Sequence, residues 1–156
     1  MNTANILTKQ TVALNLKGTT KEAVITELIG VLGDAGQIKD RDAALRVVLD
    51  REKKMSTGLQ NGIAIPHGKT DTVENLVAAI GIKKDGVPFE SLDGQPAQII
   101  VATLSPTNKP GPHIQFLAEI SKALGDPAVR EHLLAATTEE AVLGAICREK
   151  TALPAA

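Results

Sequence analysis

The order of apolar and polar positions divides the chain into helices and strands. Thr19-Thr-Lys-Glu22 has the form of a capping box, in which a threonine oxygen and a glutamate satisfy free backbone N–H groups at a helix start. Val24, Leu28, Val31 and Leu32 follow at helical spacing, and Gly33 and Gly36 offer a stop. A second helix is predicted from near Asp40, with Ala44, Val47 and Val48 inward, running into Arg51-Glu-Lys-Lys54. Residues 55–61, centred on Ser56-Thr57-Gly58, read as a loop. Residues 63–65 form a short strand stopped by Pro66, which lacks the N–H that a central ladder needs. Residues 76–82 and 97–104 are apolar runs of strand length, separated by a turn signal at Lys83-Lys-Asp-Gly86. The second run is nearly continuous, as expected of a strand covered on both faces.

The last third is helical. A polar loop at 105–111 leads into a helix beginning near Pro112, with Ile114, Phe116, Leu117, Ile120 and Leu124 as its apolar stripe. Asp126-Pro127 caps the next helix, and Thr137-Thr-Glu-Glu140 offers a capping box for the last one. Strands interspersed with amphipathic helices predict an α/β layered domain with helices on both faces of a sheet. The pattern shows no repeat and no internal linker, so one domain is expected over residues 1–150, followed by a short flexible tail, TALPAA.

Composition narrows the function classes. Seventeen basic and eighteen acidic residues in 156 give a net charge of −1. With no Trp, no Tyr and two Phe, the chain has neither the charge nor the stacking surfaces of a nucleic-acid binder. No secretory signal and no apolar run of about 18 residues is present, and the single cysteine, Cys147, forms no internal disulfide. A cytoplasmic protein is expected.

The chemistry gathers at Asn61-Gly-Ile-Ala-Ile-Pro-His-Gly-Lys-Thr70. Gly68-Lys69-Thr70 resembles the close of a nucleotide-binding loop, but Ile63 stands where that loop needs glycine, and Pro66 and His67 occupy its interior. The reading fails. His67 instead follows a strand at an expected chain reversal, with Pro66 limiting the backbone and Gly68 leaving room for an incoming group. Imidazole, with an ordinary pKa of about 6.5, is nucleophilic near neutrality and can carry a phosphoryl group covalently. A histidine that merely satisfies a turn fits the local residues equally well. Arg51, near the end of the second helix, carries a planar double donor suited to phosphate oxygens. A solvated arginine favourable to the helix dipole fits there too. His113 is placed in the first helical turn, where backbone N–H groups attract anions, or on the surface. Ser56 and Thr57 are candidate hydroxyl donors to phosphate or plain turn residues. His132, within a helix and with no glycine or proline presenting it, reads as structural or surface.

Together, STGLQNGIAIPHGKT, LDREKKMSTG and PHIQFLAEISKAL closely resemble the active-site segments of the fructose/mannitol/nitrogen-type enzyme IIA proteins of the bacterial phosphoenolpyruvate:sugar phosphotransferase system. The resemblance covers nearly the whole chain and implies a mixed sheet sandwiched between helices. It implies that His67 is the phosphorylated residue. It places the family's arginine, sixteen residues earlier, on Arg51, and its second active-site histidine on His113. Phospho-HPr would be the donor to Nε2 of His67, with Arg51, His113 and the hydroxyls of Ser56 and Thr57 holding the phosphoryl oxygens, and no metal or other cofactor. A transport enzyme IIA passes its phosphate to a cysteine on enzyme IIB; a nitrogen-type regulator uses its phosphorylation state to control other proteins. The segment DGQPAQIIVATLSP looks more like the nitrogen type, so the regulator is the expected role and transport the alternative. A metal site on His67 and His113 lacks any Cys-x-x-Cys or His-x-x-His spacing, and Cys147 reads as a packed core thiol. Intact Arg51, His67 and His113 argue against a degenerate domain that is never phosphorylated.

Overall fold

The computed structural model describes residues 6–152, with side chains through Ile146. Its elements are a 3-10 turn (Lys9–Thr11), β1 (Val12–Ala13), α1 (Lys21–Asp34), α2 (Arg41–Lys54), β2 (Ile63–Ala64), β3 (His67–Lys69), β4 (Val77–Val87), β5 (Ala97–Ser105), α3 (Pro110–Leu124), α4 (Pro127–Ala135) and α5 (Glu139–Ala152). The strands form one mixed sheet in the order β1-β4-β5-β2, with β3 also paired to β5. β4 and β5 are antiparallel, whereas β1 on β4 and both β2 and β3 on β5 are parallel. One apolar cluster packs side chains of α1 and α2 against one face of the sheet, and a second packs α3, α4 and α5 against the other. The result is the expected α/β/α sandwich.

Helix starts follow side-chain chemistry with a one-residue offset. Each Thr-Thr pair caps with its second member: Thr20 accepts from the N–H of Ala23, and Thr138 from that of Ala141, both at 3.1 Å. Asp40 and Asp126 cap α2 and α4 as expected. Three other expectations are corrected. Lys83-Lys-Asp-Gly86 is no turn; β4 runs through it to Val87, absorbing the irregularity as a register shift after Ile82, with Gly86 at φ +80°. The stripe of α3 is centred on His113, Phe116, Ile120, Ala123 and Leu124, leaving Ile114 exposed. α5 runs to Ala152, so the first two residues of the expected tail are helical, and the side chain of Cys147 lies outside the described residues.

The chain also does not reverse at His67. Ala64 pairs with Ile100 and His67 with Thr103, so the register along β5 is the same on both sides of Pro66. Pro66 interrupts the ladder only as donor; its carbonyl still accepts from the N–H of Thr103 at 3.0 Å. Gly68 has another reason than room for a ligand. A Cβ there would stand 2.4 Å from Cγ1 of Val47, so the missing side chain lets α2 lie directly on β3. That contact sets the distance between the helix carrying Arg51 and the strand carrying His67.

Candidate functional site

His67 opens β3, half-buried, and its ring is fixed by a backbone contact: Nδ1 lies 2.9 Å from the carbonyl oxygen of Ile65. A carbonyl only accepts, so Nδ1 carries the proton and Nε2 keeps the lone pair. The ring of His113 stands beside it, with centroids 5.4 Å apart and planes inclined at 47°. His113 is 5% exposed, and its Nδ1 meets no partner among the described residues. Burial, then the nearby His67 and Lys69, push its pKa down to about 4, so it is neutral near pH 7. The first turn of α3 is a poorer anion site than expected, because Pro110 and Pro112 remove two of its backbone donors.

Arg51 completes the group. Its Nη1 donates to the carbonyl of Met55 at 2.8 Å, which holds the guanidinium over the C-terminal end of α2. His67 and Arg51 line a cleft of about 310 Å³ together with Met55, Leu92 and Leu117. They also line an adjoining cleft of about 580 Å³ with Asp50, Lys54, Lys69 and His113. Three residues predicted from three separate segments therefore meet at one place. Lys54, Lys69, Leu92 and Leu117 line the site without having been predicted for it. Lys69 was visible beside the GIAIPHG segment, whereas Leu92 arrives from a loop whose position no local pattern gives. A larger cleft of about 710 Å³ lies on the other side of Met55 and Ser56, without either histidine.

Ser56 and Thr57 occupy the same loop, but their hydroxyls are committed elsewhere. Ser56 Oγ donates to the carbonyl of Phe89, and Thr57 Oγ1 donates to Oε1 of Glu52 at 2.6 Å. Both protons are thus engaged in holding the loop, in place of the phosphate oxygens expected for them. His132 is exposed on α4 and turned back to the carbonyl of Ala128, far in sequence from any of these groups. Among the described residues no group of three or more His, Cys, Asp or Glu side chains could hold a metal ion.

The fold and site define an α/β/α domain that presents an unprotonated imidazole nitrogen beside a guanidinium and a second, neutral imidazole, an arrangement suited to taking up and releasing an anionic group. The model of the family described as the phosphoenolpyruvate-dependent sugar phosphotransferase system, EIIA 2, matches residues 5–148, and the chain belongs to that family. It is 41% identical over 146 residues to the fructose-specific EIIABC component of Bacillus subtilis, a match spanning 94% of this chain and 23% of that protein. It is 39% identical over 123 residues to the fructose-specific EIIA component of Haloferax volcanii, spanning 79% of this chain and 80% of that protein. Among solved structures, the nitrogen regulatory protein IIA-Ntr of Neisseria meningitidis overlays with a TM-score of 0.86 at 26% identity, covering 92% of this chain and 98% of that one. The mannitol enzyme IIA of Escherichia coli, solved in complex with phosphorylated enzyme IIB, overlays at 0.77 with 27% identity, covering 90% and 96%. No helix among the described residues is long and apolar enough to cross a membrane.

Proposed function

We propose that this chain is a phosphohistidine carrier in which Nε2 of His67 takes a phosphoryl group from phospho-HPr and later yields it to a protein acceptor. The observation that carries this reading is the bond from His67 Nδ1 to the Ile65 carbonyl, which leaves Nε2 unprotonated in a cleft shared with Arg51. As Nε2 bonds to phosphorus, the donor's N–P bond breaks and its electron pair stays on the donor imidazole. The His67 ring gains positive character, and the Ile65 carbonyl, already on Nδ1–H, stabilises it. Phosphoryl transfer has a loose transition state, so the protein contributes mainly position and charge. Arg51 supplies the double donor for the phosphoryl oxygens. Neutral His113 contributes a hydrogen bond without a repelling charge beside the attacking ring.

The rim of the site favours protein partners over a small-molecule donor. Met55 and Leu92, which line the His67 cleft, are 70% and 82% exposed. Large apolar side chains left in water around a functional group mark a docking surface. The 41% and 39% identities to fructose-specific relatives favour onward transfer to the cysteine of an enzyme IIB. The regulator remains the second reading, favoured by the overlay on the Neisseria nitrogen regulatory protein. There, nearly two added negative charges at His67 would switch a partner interface.

The test mixes the chain with phosphoenolpyruvate, enzyme I and HPr and follows intact mass near neutral pH, since phosphohistidine is acid-labile. A gain of one phosphoryl group that is lost on adding a fructose-type IIB supports the transport relay; a gain that persists supports the regulator. His67→Ala should take up no phosphate, and His113→Ala should take it up slowly. Label retained by His67→Ala would sink the assignment.

A further inference from the structure

Arg51 is followed by a carboxylate that the proposed chemistry leaves unused. Glu52 is 6% exposed, although charged side chains at a helix end normally reach for water. Burying a carboxylate is costly unless donors surround it. Three do. Its Oε2 accepts from the backbone N–H of Thr57 at 2.9 Å and from Nζ of Lys21 at 3.1 Å, and its Oε1 accepts from the hydroxyl of Thr57. Lys21 is itself braced by Glu90 at 2.9 Å and lies over the ring of Phe89.

These bonds continue to the reacting ring. The carbonyl of Thr57 accepts from the N–H of Ile65 at 3.1 Å, and the carbonyl of Ile65 holds Nδ1 of His67 at 2.9 Å. A line of hydrogen-bonded contacts therefore runs from Lys21 through Glu52, Thr57 and Ile65 to His67, in which each residue helps to position the next. It crosses between α1, α2, the 55–58 loop and the strand, so it relies on no single element. Ile65 lies between β2 and β3, and its N–H is held from the 57–59 segment, whose own anchorage includes the bonds of Glu52 to Thr57.

We propose that Glu52, backed by Lys21, is a positioning residue for the phosphoryl acceptor: by clamping both donors of Thr57 it fixes the Ile65 peptide, and through it the tautomer and orientation of the His67 ring. The role rests on His67 being the acceptor, but it is measured without any donor present. Glu52 touches neither partner nor phosphate; it acts only through the ring it orients.

The experiment compares the parent chain with Glu52→Ala, Glu52→Gln and Thr57→Val. Nitrogen chemical shifts of unphosphorylated His67 report which ring nitrogen bears the proton, and phosphoryl uptake from phospho-HPr is then split into KM and kcat. Glu52→Ala should move His67 from the Nδ1–H form towards a mixture of tautomers. It should also lower kcat about tenfold or more with KM for HPr changed less than about threefold, as displacement of a reacting group does. Glu52→Gln, whose one amide oxygen can replace one of the two carboxylate oxygens bonded to Thr57, should recover part of both. Thr57→Val is nearly isosteric and removes one of the two donors, so it decides the matter where Glu52→Ala does not fold; a partial tautomer shift is expected. A folded Glu52→Ala or Thr57→Val with the parent's tautomer would overturn the proposal. A loss seen in KM alone would overturn it too. If the parent itself took up no phosphate, the carrier reading would fail, while the tautomer comparison would still decide the role of Glu52.

Discussion

Replacing Gly68 with alanine tests the contact that spaces Arg51 from His67. The new Cβ would stand 2.4 Å from Cγ1 of Val47 and 3.3 Å from the backbone at Val47 C and Val48 N. Favourable carbon contacts begin at about 3.5 Å, so the first approach is more than an ångström too close. Val47 cannot turn aside cheaply, because a β-branched side chain in a helix keeps one strongly preferred rotamer. The helix or the strand must move. Overpacking of this kind costs about 1–3 kcal/mol, and at about 2–4 °C per kcal/mol for a chain of this size, Tm should fall by about 2–12 °C. Removing the obstructing methyls with Val47→Ala should reduce the cost of Gly68→Ala by about 1 kcal/mol, a coupling that a double-mutant cycle in urea measures directly. Some cost should remain, because the backbone contacts at 3.3 Å persist. Arg51 sits one turn beyond Val47, so displacement of α2 should also slow phosphoryl uptake, and Val47→Ala should restore part of the rate. Gly68→Ala within about 0.5 kcal/mol of the parent would refute the reasoning, since surface changes away from any close contact commonly fall in that range. So would a cost of Gly68→Ala that Val47→Ala leaves unchanged.

Other outcomes follow from the same geometry. His113 is held neutral by burial with a pKa of about 4, against an ordinary value near 6.5 in the unfolded chain. The unfolded state therefore binds the extra proton first as pH falls, and stability is lost between about pH 6.5 and 4. The full effect is at most about 3 kcal/mol, and urea midpoints at pH 7 and 4.5 should converge in His113→Gln. Arg51→Lys keeps the charge but not the planar fork or the reach to the Met55 carbonyl, so phosphoryl uptake should slow by about 10-fold or more with little change in stability. Thr20→Ala removes the oxygen that caps α1 and should cost about 1 kcal/mol in urea unfolding, whereas Thr19→Ala should cost much less.

The sequence made the layers legible because hydrophobic spacing answers to burial, and burial on both faces of β5 leaves an apolar run no polar residue interrupts for long. Boundaries were less legible where two residues could play one part. In each Thr-Thr pair the spacing to the acidic residue pointed to the first threonine, but the second one is the cap. At 83–86 the composition of a turn coincides with that of a bulge, and only the pairing of Val87 with Ala97 distinguishes them.

The site divides along the same line. His67, Arg51 and His113 were readable because their residue types carry their chemistry with them and because Pro66 and Gly68 set the first apart. The groups that orient them were not. In Arg51-Glu-Lys-Lys54 no spacing sets Glu52 apart from the charged residues beside it, yet Glu52 is buried, since the loop after α2 folds back to give it the two donors of Thr57. Ser56 and Thr57 pointed to phosphate because a hydroxyl near a phosphoryl site suggests a donor; their acceptors, Phe89 and Glu52, come from outside the motif. The apolar stripe of α3 was drawn one position off for a related reason. A stripe drawn through apolar residues alone passes through Ile114 and Leu117, whereas the buried face is centred one position back and includes a histidine. A polar residue enters the interior of α3 there because the facing strand presents His67, and that pairing across the fold is invisible to any window along the chain.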